Sequence, residues 1–375
     1  TMAHSYTPGL KVLKSSIIDK NRRLPIKGEV RKKVGDSVLP DDIVAKTNLP
    51  GNVQIIKVAS QLNIGPADIL EALKVSEGEQ IKKGQLLAQT GGLFGLFKSE
   101  IFSPIDGTIE SISDVTGQII MREAPIPVEI DAYTSGIVKD IIPEEGVIIE
   151  TKAAFIQGIF GIGGEARGIL EIIVQDRNDE ITPEMLNSSQ KGKVIVGGGF
   201  IGLEAFKKAI SLNISGIVIG GFNYYDLKEI LGYNLGVAIT GSEDINTSLI
   251  VTEGYGHIKM SRGTFSLLKE NENNFCSING ATQIRAGVIR PEIVIPVKED
   301  SLKSVKESKI GKGIVIGSLV RVIRAPFFGL MGKVTELPSK LQKMESETLV
   351  RVAKINVDDQ DIIIPRSNLE MVETD

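Results

Sequence analysis

The chain's 375 residues suffice for two or three domains with full cores, and its 43 basic and 47 acidic residues nearly cancel. That balance excludes a global field that would draw the protein onto nucleic acid or an anionic membrane. One cysteine, Cys276, and two histidines, His4 and His257, exclude an intrachain disulfide, an all-cysteine zinc site and a His-rich centre, so no metal is expected.

No stretch reaches the roughly 20 apolar residues of a membrane span, and no signal-like succession opens the sequence. A soluble cytoplasmic protein without membrane contact is expected. The 40 glycines recur at turn spacing, which implies many short strands.

Residues 1–23 read as an N-terminal arm and residues 24–175 as a β domain. Short alternating strands are split by Gly-Asp, Glu-Gly and Asp-Gly turns, and the one helical pattern, 66–73, opens at Gly65-Pro66-Ala-Asp68. Two internal repeats are visible. Residues 34–47 align with 77–90, with glycine, acid, two aliphatics, alanine and threonine in step. Residues 107–112 align with 136–141, followed in step by Gly117 and Gly146. Such repeats build pseudo-symmetric β-units.

Val75-Ser-Glu-Gly78, Gln80-Ile-Lys-Lys-Gly84, Leu86-Leu-Ala88 and Ser103-Pro-Ile-Asp-Gly107-Thr-Ile109 resemble the turns and strands of the biotinyl/lipoyl-like barrel-sandwich hybrid family. The resemblance implies that fold for about a third of the chain. Members that carry a swinging cofactor modify a lysine at a hairpin tip, and the only candidate is Lys98 in Gly95-Leu-Phe-Lys98-Ser-Glu. It lacks the Met-Lys-Met or Asp-Lys-Ala surroundings of those members. No lipoyl or biotin attachment is expected at Lys98, and the module is expected to act as a spacer or docking unit. The same tip carries Leu93, Phe94, Leu96 and Phe97, apolar where an exposed loop should be polar. They either pack between domains or dock a protein partner or a second subunit.

Residues 176–300 read as a Rossmann-like parallel α/β domain. Thr182-Pro183-Glu184 offers an N-cap, an N1 proline and a first-turn acid. Apolar runs at 193–196, 216–219, 237–239 and 249–251 end in glycine or small polar residues, with helical patterns between the first three. The first helix is expected from Phe200 to about Leu212, and Ser261 begins another. Gly197-Gly-Gly199-Phe-Ile-Gly202 satisfies G-x-G-x-x-G after a strand and at a helix start.

The string Val196-Gly-Gly-Gly-Phe-Ile-Gly-Leu-Glu204-Ala resembles the dinucleotide motif of flavin-dependent disulfide reductases. The likeness implies a pyrophosphate on the helix N-terminus, but it covers only about ten residues. The second strand runs into Gly220-Gly221-Phe-Asn223 without the acid that grips a ribose, and the redox cysteine pair is missing. A tight strand–helix turn, a dinucleotide site and a site for another small anion stay open. Ligands of open parallel sheets bind beyond the carboxyl ends of the strands. That edge gathers Gly197, Gly198, Gly199, Asn223, Ser242, Asp244, Thr252, Glu253 and His257. Arg285 and Arg290 could hold a phosphate or carboxylate there, or pair with the domain's own acids. In an enzyme, Glu253 or Asp244 would serve as general base, with His257 next, but no catalytic constellation is recognisable.

Residues 301–375 begin with a charged linker and continue with about five short strands, consistent with a small barrel. Val320-Arg-Val-Ile-Arg-Ala-Pro326-Phe-Phe-Gly329-Leu-Met-Gly332-Lys-Val334 resembles the KOW motif of SH3-like barrels in transcription elongation factors and ribosomal proteins. The resemblance implies binding to RNA or to ribosomal or polymerase proteins. Local basicity at Arg321, Arg324, Lys333 and Arg366 could touch phosphates, and protein docking or a purely architectural barrel stays open beside it. The module is close to neutral, without the basic stripe of an RNA binder.

The expected architecture is thus multi-domain, α/β plus β: a barrel-sandwich hybrid, a Rossmann-like domain and a KOW barrel. The leading expectation is a non-catalytic binding or scaffold protein with a small anionic ligand at the strand ends. A nucleotide-dependent enzyme or sensor is the first alternative, and an RNA-, ribosome- or polymerase-associated factor the second. The sequence leaves any cofactor unidentified.

Overall fold

A computed structural model of the protein describes residues 10–91, 98–232, 240–283, 289–297, 314–324, 326–327, 329–343, 349–357 and 360–371. The two segments of the first sequence repeat form the same turns and strands. Gly35 and Gly78 take φ of 91° and 81°, a region open to glycine because it has no Cβ. Each is followed by a two-residue strand, Ser37–Val38 or Gln80–Ile81, a second turn, and a longer strand, Ile43–Leu49 or Leu86–Gln89.

The cross-strand pairs correspond as well. Val38 and Ser37 face Gly136 and Ile137, while Ile81 and Gln80 face Gly107 and Thr108. Ile43–Leu49 pairs with Ile126–Asp131 as Leu86–Gln89 pairs with Glu100–Phe102. Gly136–Ile142 pairs with Gly146–Gln157 as Gly107–Ser113 pairs with Gln118–Arg122. One copy lies wholly inside the other: residues 53–122 enter between Ile43–Leu49 and Ile126–Asp131. Each copy keeps a core of its own. The outer copy buries Val38, Val44, Ala132, Val138, Val147 and Ile149. The inserted copy buries Ile69, Leu87, Ile109, Ile119 and Met121 among others.

The protein is mixed α/β and rich in strand, with one large mixed sheet and several small ones. In the large sheet Glu165–Ile172, Val194–Val196, Gly216–Phe222 and Ser248–Tyr255 run parallel. Antiparallel strands flank them: Phe160–Ile162 beside Ser248–Tyr255, and Phe275–Asn279 beside Glu165–Ile172. Glu292–Pro296 then joins Phe275–Asn279 to Gly146–Gln157. Sheet and core both run through the boundary expected at 175. Ile156, Phe160, Ile162 and Leu170 pack in one cluster with Val194, Ile217 and Leu249.

Two further details depart from expectation. The helix begins at Leu203, not Phe200, and runs to Ser211. Phe200–Ile201 is a strand, because Ile201 pairs with Phe222 and both residues pair with Glu180–Ile181. The strand expected at 237–239 lies outside the described residues. Helix Arg262–Glu270 starts where expected, with the Thr264 N–H donating to Ser261 Oγ at 3.2 Å.

The C-terminal residues form a five-stranded antiparallel sheet in the order Gln360–Pro365, Val352–Val357, Met331–Glu336, Leu319–Val322, Leu369–Met371. Val320, Val334, Ile355 and Leu369 lie in its separate core.

Nothing stands within 4 Å of a Cβ added at Gly35 or Gly78, so alanine there meets only backbone strain. Gly35→Ala and Gly78→Ala are each expected to destabilise their own copy by about 1–3 kcal/mol. Urea unfolding measures this, and an unaffected variant would contradict the equivalence of the two turns.

Candidate functional site

The carboxyl ends of the parallel strands are the place to look for a ligand, and the protein itself fills them. A Cβ on Gly197 would meet Ile181 and Ile219, at 2.5 and 2.6 Å. On Gly198 it would sit 2.6 Å from Asp176 O and from Asp179 N and O. On Gly199 it would reach the His257 ring at 2.8 Å. The glycines are needed for close approach, as the motif requires, but what approaches is Ile181 and Ile219 at Gly197, and the loop 176–179 with His257 at Gly198 and Gly199.

That loop is tied down. Asp179 Oδ2 accepts from the N–H groups of Gln175 and Asp176 at 3.0 and 2.8 Å, and Asp179 O accepts from Gly199 N at 2.8 Å. His257 donates from Nε2 to Asn178 O at 2.8 Å and stacks on Phe200, with ring centroids 5.7 Å apart. A dinucleotide turn opens its helix directly after the glycines. Here Phe200–Ile201 intervenes, and the helix N-cap is Gly202. That geometry departs from a dinucleotide turn.

Other members of the expected set have structural work. Asn223 caps helix Tyr224–Leu231, its Oδ1 accepting from Tyr225 N at 2.8 Å. Ser242 and Asp244 are exposed. Between them Glu243 Oε2 accepts from Gly163 N and Gly241 N, each at 2.8 Å. Thr252 and Glu253 are buried. Thr252 donates to Ile219 O at 3.3 Å, and Glu253 Oε1 accepts from Ser261 N at 2.9 Å.

Arg285 lies outside the described residues, as do Leu93, Phe94, Leu96 and Phe97. Lys98 is exposed. Arg290 donates to Ile159 O at 3.4 Å, and burial pushes its guanidinium below the ordinary value, with Glu370 opposing and Arg321 adding to the effect.

The largest correction concerns Arg321. Expected on an RNA-facing surface, it is 3% exposed. Its Nη1 donates to Thr252 O at 3.1 Å and to Glu253 O, and lies 3.7 Å from Glu253 Oε2. Its Nη2 reaches Glu370 Oε2 at 3.4 Å. Nearby, Gly329 lies against the Tyr255 ring so closely that a Cβ would overlap it, and its φ is 85°. Tyr255 packs edge-on against Tyr224, with centroids 5.3 Å apart. The strand ends are thus the seat of the C-terminal module. At that seat two carbonyls and the Glu253 carboxylate receive the Arg321 guanidinium. Arg324 and Lys333 remain exposed.

A second charged cluster had no sequence signal, since its members come from five distant segments. Arg22 donates to Asp131 O and Oδ1 at 2.8 and 3.0 Å and to Glu165 Oε1 at 2.5 Å. Arg167 donates to Pro40 O at 2.6 Å and pairs with Asp41 and Asp131. Burial lowers the tendency of Arg22 to stay charged, but the bond to Glu165 and the charges of Glu165 and Asp131 outweigh it, so its pKa is raised. The buried Tyr133 donates to Glu292 Oε1 at 3.2 Å, and Lys20 pairs with the same carboxylate at 2.5 Å. Burial, then Glu292 and Glu165, push the Tyr133 hydroxyl well above its usual value. An open cleft of about 470 Å³ lies beside Arg22, Glu129, Asp131 and Glu165. Its Arg22, Asp131 and Glu165 already satisfy one another.

Among the described residues no helix is long and apolar enough to cross a membrane, and no group of three acid, His or Cys side chains could hold a metal. No protein-family model matches the chain, and no curated protein matches it.

Removing one partner of a buried ion pair strands the others. Arg321→Met is therefore expected to cost about 3–5 kcal/mol of stability, against roughly 0.5 kcal/mol or less for the exposed Arg324→Met. Chemical denaturation of the two variants decides this. Equal, small effects would place Arg321 at the surface. Gly198→Ala, which drives a methyl into three backbone atoms, is expected to cost about 1–3 kcal/mol in the same assay.

Proposed function

We propose that the chain is a non-catalytic, multi-domain binding or scaffold protein that docks partners through its β modules. The observation that carries this reading is the use of the sheet edge. The strand ends, where an α/β enzyme would seat its ligand, instead hold the C-terminal module through Arg321 and Gly329. The nested repeats are read as two barrel-sandwich-hybrid units, the parallel strands as a Rossmann-like layer, and the C-terminal sheet as an SH3-like barrel of KOW type. In this reading the central domain is a joint that fixes the relative placement of β modules.

The alternatives lose specific support. A nucleotide-dependent enzyme or sensor needs the space beside Gly197, Gly198 and Gly199, which Ile181, Ile219, residues 176–179 and His257 occupy. An RNA-, ribosome- or polymerase-associated factor keeps the exposed Arg324 and Lys333 but loses Arg321 to the interior.

Thermal denaturation with NAD, FAD, ATP and phosphorylated metabolites tests the proposal. A ligand present at 100 times its Kd would stabilise the fold by about 2.7 kcal/mol. No shift is expected with any of them, and one clear shift would favour the enzyme or sensor. Native mass spectrometry of the purified chain is expected to retain a protein partner.

A further inference from the structure

The two repeats correspond hydrogen bond by hydrogen bond. Gly35 N donates to Val138 O and Gly78 N to Ile109 O, each at 2.8 Å. Asp36 and Glu79 accept from the N–H three residues earlier, at 2.8 and 3.0 Å. Ala132 N donates to Asp42 O at 2.9 Å, and Ser103 N to Gln85 O at 2.8 Å. This register matches Pro40 and Asp41 of the outer copy with Lys83 and Gly84 of the inserted one, and Asp131 and Tyr133 with Phe102 and Pro104.

In the outer copy these four positions form a docking edge. Pro40 O, Asp41 and Asp131 receive Arg167, Asp131 also receives Arg22, and Tyr133 is buried against the large sheet. In the inserted copy the four matching residues are all exposed, Phe102 by 52%. Lys82 and Lys83 stand there with neither ammonium in an ion pair among the described residues, and Asp106 Oδ1 accepts from Lys83 N at 2.7 Å. One difference is fixed by chemistry: Tyr133 has φ 65°, which Pro104 cannot adopt.

We infer that this edge of the inserted copy is a second docking edge, for a protein partner whose face pairs carboxylates with an apolar spot. The inference rests on the scaffold reading and gives it a surface. The chemistry differs from the outer copy, with Lys82, Lys83 and Phe102 where the outer copy has Leu39, Pro40 and Asp131. A second copy of this chain is a poor occupant, because its matching receptor is built on Arg22 and Arg167 and is already filled. Like charges directly opposed disfavour such pairing.

The full chain is titrated, by fluorescence anisotropy at low salt, with a labelled peptide of alternating Glu and Leu and with its Lys–Leu counterpart. The acidic peptide is expected to bind saturably, and Lys82→Glu with Lys83→Glu to weaken it by about tenfold with greater loss at low than at high salt. Phe102→Ser is expected to weaken it with the thermal midpoint of unfolding unchanged. Equal binding of the two peptides, or full binding by the charge-reversed chain, overturns the inference. So does self-association that either variant abolishes. A co-purifying partner that the charge-reversed chain retains overturns this surface and leaves the scaffold reading standing.

Discussion

Strand Gly146–Gln157 is hydrogen-bonded along both edges, and the joining of the outer repeat to the large sheet depends on it. One edge carries Val12–Arg23 along almost its whole length. The other is divided, pairing first with Gly136–Ile142 of the outer repeat and then with Glu292–Pro296 of the large sheet. The strand therefore supplies Val147 and Ile149 to one core and Ala154 and Ile156 to another. A slip of one residue would turn all four away from their cores at once. Register in a single strand thus holds two modules in one frame.

Charge does the remaining joining. Arg22 and Arg167 fasten the outer repeat to the sheet, and Arg321 fastens the C-terminal module to the strand ends. Buried ion pairs of this kind contribute little net stability, because desolvation offsets most of the attraction. Their orientation is what they fix. A planar guanidinium with several directed donors accepts only a few arrangements of carbonyls and carboxylates. The joint at Arg321 is incompletely matched, since its Nε and Glu370 Oε1 are buried without hydrogen-bond partners.

What the sequence made legible was local. The repeats, the glycines of their turns, the caps at Thr182 and Ser261 and the short C-terminal strands all depend on residues within a few positions of one another. What it hid depended on partners far along the chain. Gly197, Gly198 and Gly199 have the spacing of a phosphate turn because close approach needs glycine whatever approaches. Nothing local distinguishes a pyrophosphate from the loop at 176–179. Arg321 sits beside exposed basic residues in sequence and is withdrawn by Glu253 and Glu370. The boundary at 175 followed the polar stretch 176–191, which reads as a linker plus a helix start, but the sheet continues through it.

The nesting of one repeat within the other bears on how the chain folds. Leu49 faces Ile126, and Asn52 donates to Glu123 at 2.8 Å, so the two ends of the insertion are clasped beside each other. Once the insertion is folded, the outer copy closes across a gap of a few residues rather than across a long disordered loop. The closure entropy that a flexible loop would add, growing with the logarithm of its length, is then removed. The dependence runs one way. Opening the insertion lengthens the loop that the outer copy must span, whereas loosening the outer copy leaves the insertion's own strands paired. Two units of shared pattern are thereby given unequal ranks, the outer one closing around the inserted one.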